Sequence, residues 1–183
     1  GPTMLVTPTI SIDQAIVILR QGHLVAIPTE TVYGLAADAM DPIAINRIFS
    51  LKGRPSNHPL IVHIAEPKQM PIWAIDIPDV AYRLADAFWP GPLTLILKKQ
   101  SSVPLEVTGG QNTIALRCPD NAVTLELLKR FDGGLAAPSA NRFGRISPTT
   151  PDHVKAEFGR DAPPILDGGT CEVGIESTIV DIS

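Results

Sequence analysis

A layered α/β (α+β) domain built on a mixed sheet is the fold class this sequence predicts, and three observations predict it. Eighteen prolines and fourteen glycines cut the 183 residues into segments no longer than a strand or a three-turn helix, which excludes long bundles and coiled coils. Apolar runs of strand length alternate with segments of helical period. Hydrophobic residues make up 44% of the chain and charged residues 19%. A chain of this size buries roughly 70% of the surface its unfolded form exposes, so its core needs neither a metal nor a disulfide framework.

In chain order, Ser11 with Gln14 three residues on forms a capping-box pattern. Ile12, Ala15, Ile16 and Leu19 then keep one apolar face until Gly22, which predicts a helix over 12–21. Leu24 to Ile27 is a short apolar run ending at Pro28, a buried strand that delivers the chain to a loop over 28–31. The same periodicities predict a helix over 44–50, a strand over 60–64, a helix over 80–88, and strands over 93–97 and 114–118. Asn121 caps a helix that runs to Arg130, Gly133-Gly134 breaks it, and Leu135 to Ala137 forms a strand stopping at Pro138. The tail repeats the alternation with a helix over 153–158, a strand near Ile165 and a strand over 178–182. Elements interleaved in this way imply a mixed sheet flanked by helices. With no internal repeat, low-complexity tract or linker, a single domain is expected over 4–183. Gly1 and Pro2 ahead of Met4 read as a protease-cleavage remnant, which sets residues 1–3 aside.

Fifteen Lys and Arg against nineteen Asp and Glu leave a net charge of −4, which disfavours a bulk nucleic-acid coat protein and confines any RNA contact to a local patch. Cys118 and Cys171 share no metal-ligand or CxxC spacing, so two buried, apolar-like thiols in a reducing cytosol are expected. No apolar run approaches the roughly 20 residues of a membrane span, and no signal pattern opens the chain. A soluble, cytoplasmic protein without membrane contact is the expectation.

Charge is unevenly placed. The 24 residues from Pro42 to Ala65 hold no acid but carry Arg47, Lys52, Arg54, His58 and His63. A second acid-free window, Gly133 to Pro151, holds Arg142 and Arg145 among the small polar residues of Pro138-Ser139-Ala140-Asn141 and Ile146-Ser147-Pro148-Thr149. Both windows read as anion-binding loops, since guanidinium forks, a lysine point charge and hydroxyl or amide donors together satisfy phosphate oxygens. Lys52 and Arg54, two apart, would point the same way on a strand-like segment and converge on one anion. Neither His58 nor His63 stands at a metal-ligand spacing, so no protein-built metal site is expected. The P-loop, GxGxxG and GxSxG patterns are absent. The residues alone therefore reach an anion-binding α/β protein.

Pro28-Thr29-Glu30-Thr31-Val32-Tyr33-Gly34-Leu35 resembles the segment that opens the active site of YrdC-like proteins. Lys52-Gly53-Arg54-Pro55 is similar to that family's KxRP motif, Trp89-Pro90-Gly91-Pro92-Leu93-Thr94 to its WPGPLT turn, and Pro138-Ser139-Ala140-Asn141 to its PSAN loop. Ser177-Thr178-Ile179-Val180-Asp181 resembles its late STVVD strand. The likeness implies a YrdC-like twisted mixed sheet with a concave basic cleft. The activity it implies is synthesis of L-threonylcarbamoyladenylate from L-threonine, bicarbonate and ATP, with Mg2+ accompanying ATP and pyrophosphate released. The product would feed a downstream tRNA threonylcarbamoyl-transferase complex, and the same basic face would offer tRNA a weak contact. Two rival expectations are a carbamoyl-adenylate-forming domain, as in hydrogenase maturation proteins, and an RNA-binding module.

By the same resemblance ATP would be held by Lys52, Arg54, His58, Thr113, Ser139, Asn141 and Ser147. Threonine would meet Thr31, His63, Arg117, the backbone of Ala137, and Ser177. Lys52 and Arg54 are expected to be accessible catalytic cations, because an anionic carbamate must attack a polyanion. At 4 Å and an effective dielectric near 20, one opposite charge is worth about 4 kcal/mol. Arg117 suits the amino-acid carboxylate, and Glu30 would orient its loop or attract a cation. Ala36 stands where many relatives have glycine. Ser183 follows directly on the last strand, so the chain is expected to be trimmed, and a short or a two-domain parent both remain open.

Overall fold

Strands and helices interleave along the chain, with two pairs of strands following one another directly. The computed structural model describes residues 9–171 and 176–183. The expected remnant at 1–3 and the start of the expected domain at residue 4 lie outside these. The elements are α1 (Ile12–Arg20), β1 (Val25–Pro28), β2 (Tyr33–Asp38), α2 (Pro42–Lys52), β3 (Ile61–His63), α3 (Met70–Trp73), β4 (Ala74–Ile75), α4 (Asp79–Phe88), β5 (Leu93–Lys99), β6 (Thr113–Arg117), α5 (Ala122–Phe131), β7 (Leu135–Ala136), α6 (Pro151–Phe158) and β8 (Thr178–Asp181).

Local chemistry explains most of the boundaries. The Ser11 hydroxyl accepts from the Gln14 amide at 3.2 Å and the Gln14 side chain accepts from the Ser11 amide at 2.9 Å, so the capping box forms. Asp41 caps α2 with Pro42 in the first turn, and Gly53, at φ +67, ends it in the left-handed region. Asn121 Oδ1 accepts from the amides of Val123 and Thr124, both at 3.1 Å. Strand β2, helix α3 and the short β4 were not expected. The expected strand near Ile165 is reduced to isolated bridges with Thr9 and Ala26.

The sheet runs β1-β2-β7-β3-β6-β5, and the outer edge of β5 is shared end to end by β8 and β4. β3–β6 and β5–β8 pair in parallel and the other pairs are antiparallel, as expected of a mixed sheet. Alternation of side chains gives each face its own cover. One face presents Leu35, Ala37, Val62, Leu95, Leu97, Ile114 and Leu116 to α2 and α4, in a core that also buries Trp73. The other presents Val25, Ile27, Ala36 and Leu135 to Ala15 and Leu19 of α1 and to Leu127, Leu128 and Phe131 of α5. That second cover packs on β1 and β2. Further along the same face, the register aligns Thr94, Arg117 and His63 in one row and Ile96, Ala115 and Ile61 in the next. Thr113, Ala115 and Ile61 are half-exposed there. The candidate site residues Arg117 and His63 begin where the helical cover ends. Among the described residues no helix is long and apolar enough to cross a membrane.

Candidate active site

The segment between β1 and β2 is a four-residue hairpin loop, since Pro28 pairs with Tyr33 across it. Its hub is Thr29, a buried side chain whose hydroxyl donates to the Val32 carbonyl at 2.7 Å and accepts from the amides of Thr31 and Val32, both at 3.2 Å. The loop is thus shaped from within and directs Glu30 outward toward the end of β6. There Glu30 Oε1 faces Arg117 Nη2 as an ion pair, and its Oε2 accepts from the Asp120 amide.

Arg117 is 7% exposed and ends β6 beside His63, its partner in the β3 register. Its Nε–H donates to the Gly91 carbonyl at 3.3 Å, which gives the Trp89-to-Thr94 turn a role in the site. Gly91 must be glycine, because a Cβ there would lie 2.5 Å from the Phe88 carbonyl oxygen. Burial lowers the Arg117 guanidinium to about 10, so it stays charged at neutral pH. Burial also pushes the His63 imidazole down to about 4, which leaves it neutral and able both to donate and to accept. His63 Nδ1 is buried without a hydrogen-bond partner.

These groups surround a cavity of about 240 Å³ lined by Thr29, Val32, Gly34, Arg54, Pro59, Leu60, Ile61, His63, Arg117, Ala137, Pro138 and Ser139. Arg54 reaches it by donating from Nη2 to the Pro59 carbonyl at 3.0 Å, while its buried Nε has no partner. Burial lowers the Arg54 guanidinium from its ordinary value. Orphaned polar atoms on both Arg54 and His63 mark the cavity as a place where a polar ligand would satisfy the protein. Gly34 allows β2 to approach the Ala137–Pro138 backbone, since a Cβ would sit 3.2 Å from that of Ala137.

Lys52 stands apart from expectation. It is 3% exposed, and its ammonium donates to the carbonyls of Ser139 at 2.5 Å and Asn141 at 2.7 Å. Burial, with Arg54 nearby, lowers its pKa to about 8. The expected strand-like segment is instead the last turn of α2 and its left-handed glycine, so Lys52 turns inward behind the loop while Arg54 turns to the cavity. Asn141 is buried beside it, with Nδ2 donating to the carbonyls of Arg142 at 2.7 Å and Arg145 at 3.0 Å. Ser147 reaches Asn141 Oδ1 at 3.4 Å.

Of the residues expected to bind ligand, Arg54, His63, Arg117, Ala137 and Ser139 line this one cavity. Lys52, Asn141 and Ser147 do not line it but lie behind Ser139, with Lys52 holding the Ser139 and Asn141 carbonyls and Ser147 reaching Asn141. The Thr31 hydroxyl lies 3.1 Å from that of Thr29, at the rim hairpin. His58 meets Phe143 in a tilted ring contact, centroids 5.5 Å apart, and does not line the cavity. Thr113 lies at the far end of β6, in a larger hollow of about 940 Å³ with Lys98 and Ser183. That hollow carries none of the other expected ligand-binding residues. Ser177 is exposed just before β8. Sequence reasoning missed Thr29 and Gly34, and gave Glu30 no partner. Both cysteines are buried, as expected, and Cys118 donates to the Ala65 carbonyl at 3.3 Å. Chemically, the cavity offers two guanidinium groups, one neutral imidazole and backbone groups, a set suited to carboxylate or phosphate oxygens.

A family model described as "Telomere recombination" (Sua5, YciO, YrdC) matches residues 17–183. The threonylcarbamoyl-AMP synthase of Pyrococcus abyssi (strain GE5 / Orsay) is 48% identical over 165 residues, covering 90% of this chain and 48% of that protein. The Bacillus subtilis (strain 168) threonylcarbamoyl-AMP synthase is 44% identical over 170 residues, covering 92% of this chain and 49% of that one. The crystal structure of P. abyssi Sua5 complexed with L-threonine is similar with a TM-score of 0.90 at 48% identity, covering 93% of this chain and 50% of that one. The chain thus spans about half the length of these relatives.

Proposed function

The chain belongs to the Sua5/YciO/YrdC family, and from that premise we propose that it makes L-threonylcarbamoyladenylate from L-threonine, bicarbonate and ATP, with release of pyrophosphate. The observation that carries the proposal is the convergence of Arg54, His63, Arg117, Ala137 and Ser139, drawn from four separate stretches of sequence, on one cavity. Threonine's carboxylate is assigned to Arg117, whose fork matches it. The neutral His63 takes the substrate hydroxyl, and a valine side chain in that place would leave the imidazole unpaired. Arg54 and the Ser139 wall face the phosphates. The carbamate oxygen is a nucleophile once formed, so the protein's tasks are to position it and to offset like charge at the α-phosphorus.

Mg2+ arrives as part of the ATP substrate. The lining fits that role: the charged side chains lining the cavity are cations, and the Glu30 carboxylate is engaged by Arg117. An ion carried on phosphate oxygens needs few protein ligands of its own and adds charge neutralisation there. The product is passed on to a tRNA threonylcarbamoyl-transferase complex in the cytoplasm. The test is incubation of the purified chain with ATP, Mg2+ and labelled bicarbonate, with and without L-threonine. Pyrophosphate release and label incorporation that depend on threonine are expected, and release indifferent to threonine would sink the proposal.

A further inference from the structure

We propose that Glu30 is an internal counter-ion that occupies the carboxylate-binding edge of Arg117, so that the amino acid binds by displacing it; this rests on the reading of the cavity as the threonine site. A guanidinium grips a carboxylate with two N–H groups, using either the Nη1/Nη2 edge or the Nε/Nη2 edge. Nη2 belongs to both edges, and Nη2 is the atom that faces Glu30. Nε is already committed to the Gly91 carbonyl at 3.3 Å. A carboxylate gripping Arg117 by either edge must therefore share Nη2 with Glu30.

The pairing is built rather than incidental. The two side chains are 8% and 9% exposed. The second Glu30 oxygen is held by the Asp120 amide, and the hairpin that carries Glu30 is shaped by Thr29. An incoming carboxylate beside Glu30 would put two like charges on one cation, which disfavours joint occupancy. Exchange of one carboxylate for the other keeps Arg117 paired throughout. Ligands without a carboxylate gain nothing from the exchange and leave the pair closed. Glu30 is therefore a positioning residue that sets the affinity and the selectivity of the cavity.

The test is titration of L-threonine into the wild-type chain and Glu30→Gln, by calorimetry and by thermal shift. The amide oxygen of glutamine can still accept from the Asp120 amide, but the competing charge is gone. The free variant is expected to melt below the wild type, because Arg117 is left buried and unpaired. Threonine should bind it about fivefold more tightly and raise its melting temperature further than it raises that of the wild type. A merely structural role would lower the melting point without enlarging the threonine-induced rise. Glu30→Asp, which draws the carboxylate back by one methylene, serves if Glu30→Gln does not fold, and its affinity should also exceed that of the wild type. Equal or weaker threonine binding by the variants, with clear binding by the wild type, overturns this inference alone. Absence of binding in all of them overturns the reading of the cavity together with the inference.

Discussion

Replacing Lys52 with methionine separates two roles that the same residue type could fill. Methionine keeps most of the buried stem and removes the ammonium that holds the Ser139 and Asn141 carbonyls at 2.5 and 2.7 Å. Hydrogen bonds to a charged group are worth about 1.5–3 kcal/mol each, so the pair contributes roughly 3–6 kcal/mol. Against this stands the cost of burying the charge, visible in a pKa drawn from 10.5 to about 8, on the order of 3 kcal/mol. From the middle of that range, the difference predicts that Lys52→Met is less stable by about 1.5 kcal/mol. In a chain of this length that lowers the melting temperature by roughly 3–6 °C. Two freed carbonyls would also loosen the wall that carries Ser139, so turnover should fall with it. The assay is urea denaturation of both proteins without ligand, alongside threonine-dependent pyrophosphate release. Unchanged stability, within about 0.5 kcal/mol, combined with weakened ATP binding would refute the clamp and make Lys52 a direct phosphate ligand.

Two further outcomes follow from the same geometry. Gly134→Ala would place a methyl group 2.3 Å from Trp73 Cζ2 and 2.8 Å from Val62 Cγ1, and should destabilise by about 1–3 kcal/mol in a thermal melt, with near-normal stability contradicting the packing. His63 titrates at about 4 when folded against 6.5 when unfolded, so the unfolded state takes up the proton first as pH falls. Its contribution is complete above pH 6.5 and is lost progressively between there and pH 4, by roughly 2 kcal/mol at pH 5. Denaturation at pH 7 and pH 5 should show a smaller acid loss in His63→Asn than in the wild type, and parallel losses would contradict a neutral, buried imidazole.

Local signals in the sequence proved sound where one residue shapes its own neighbourhood. The Ser11 box and the Asn121 cap formed as expected, because each needs only residues three positions away. Strand β2 was illegible because Tyr33 to Ala37 are all buried: its two faces meet two cores, and burial on both sides erases the alternation that would reveal a strand. The site was legible as a set of motifs but not as a geometry. Strand β7 inserts between β2 and β3, so Ser139 meets Gly34 across 105 positions of sequence, and no periodicity reports which strand ends converge. Lys52 and Arg54 were read as a strand pair, whereas a helix end with a left-handed glycine sends them in different directions. Glu30 and Arg117 are 87 positions apart, and their pairing depends on a hairpin tip reaching the end of β6.

The claim on which the account turns is that Arg117, buried at the floor of the cavity, recognises a carboxylate. Calorimetric titration of the wild-type chain with L-threonine and with L-threoninamide, which has nearly the same shape but no carboxylate, tests it most directly. Threonine is expected to bind, and the amide to bind at least about tenfold more weakly. Equal affinities for the two would contradict it.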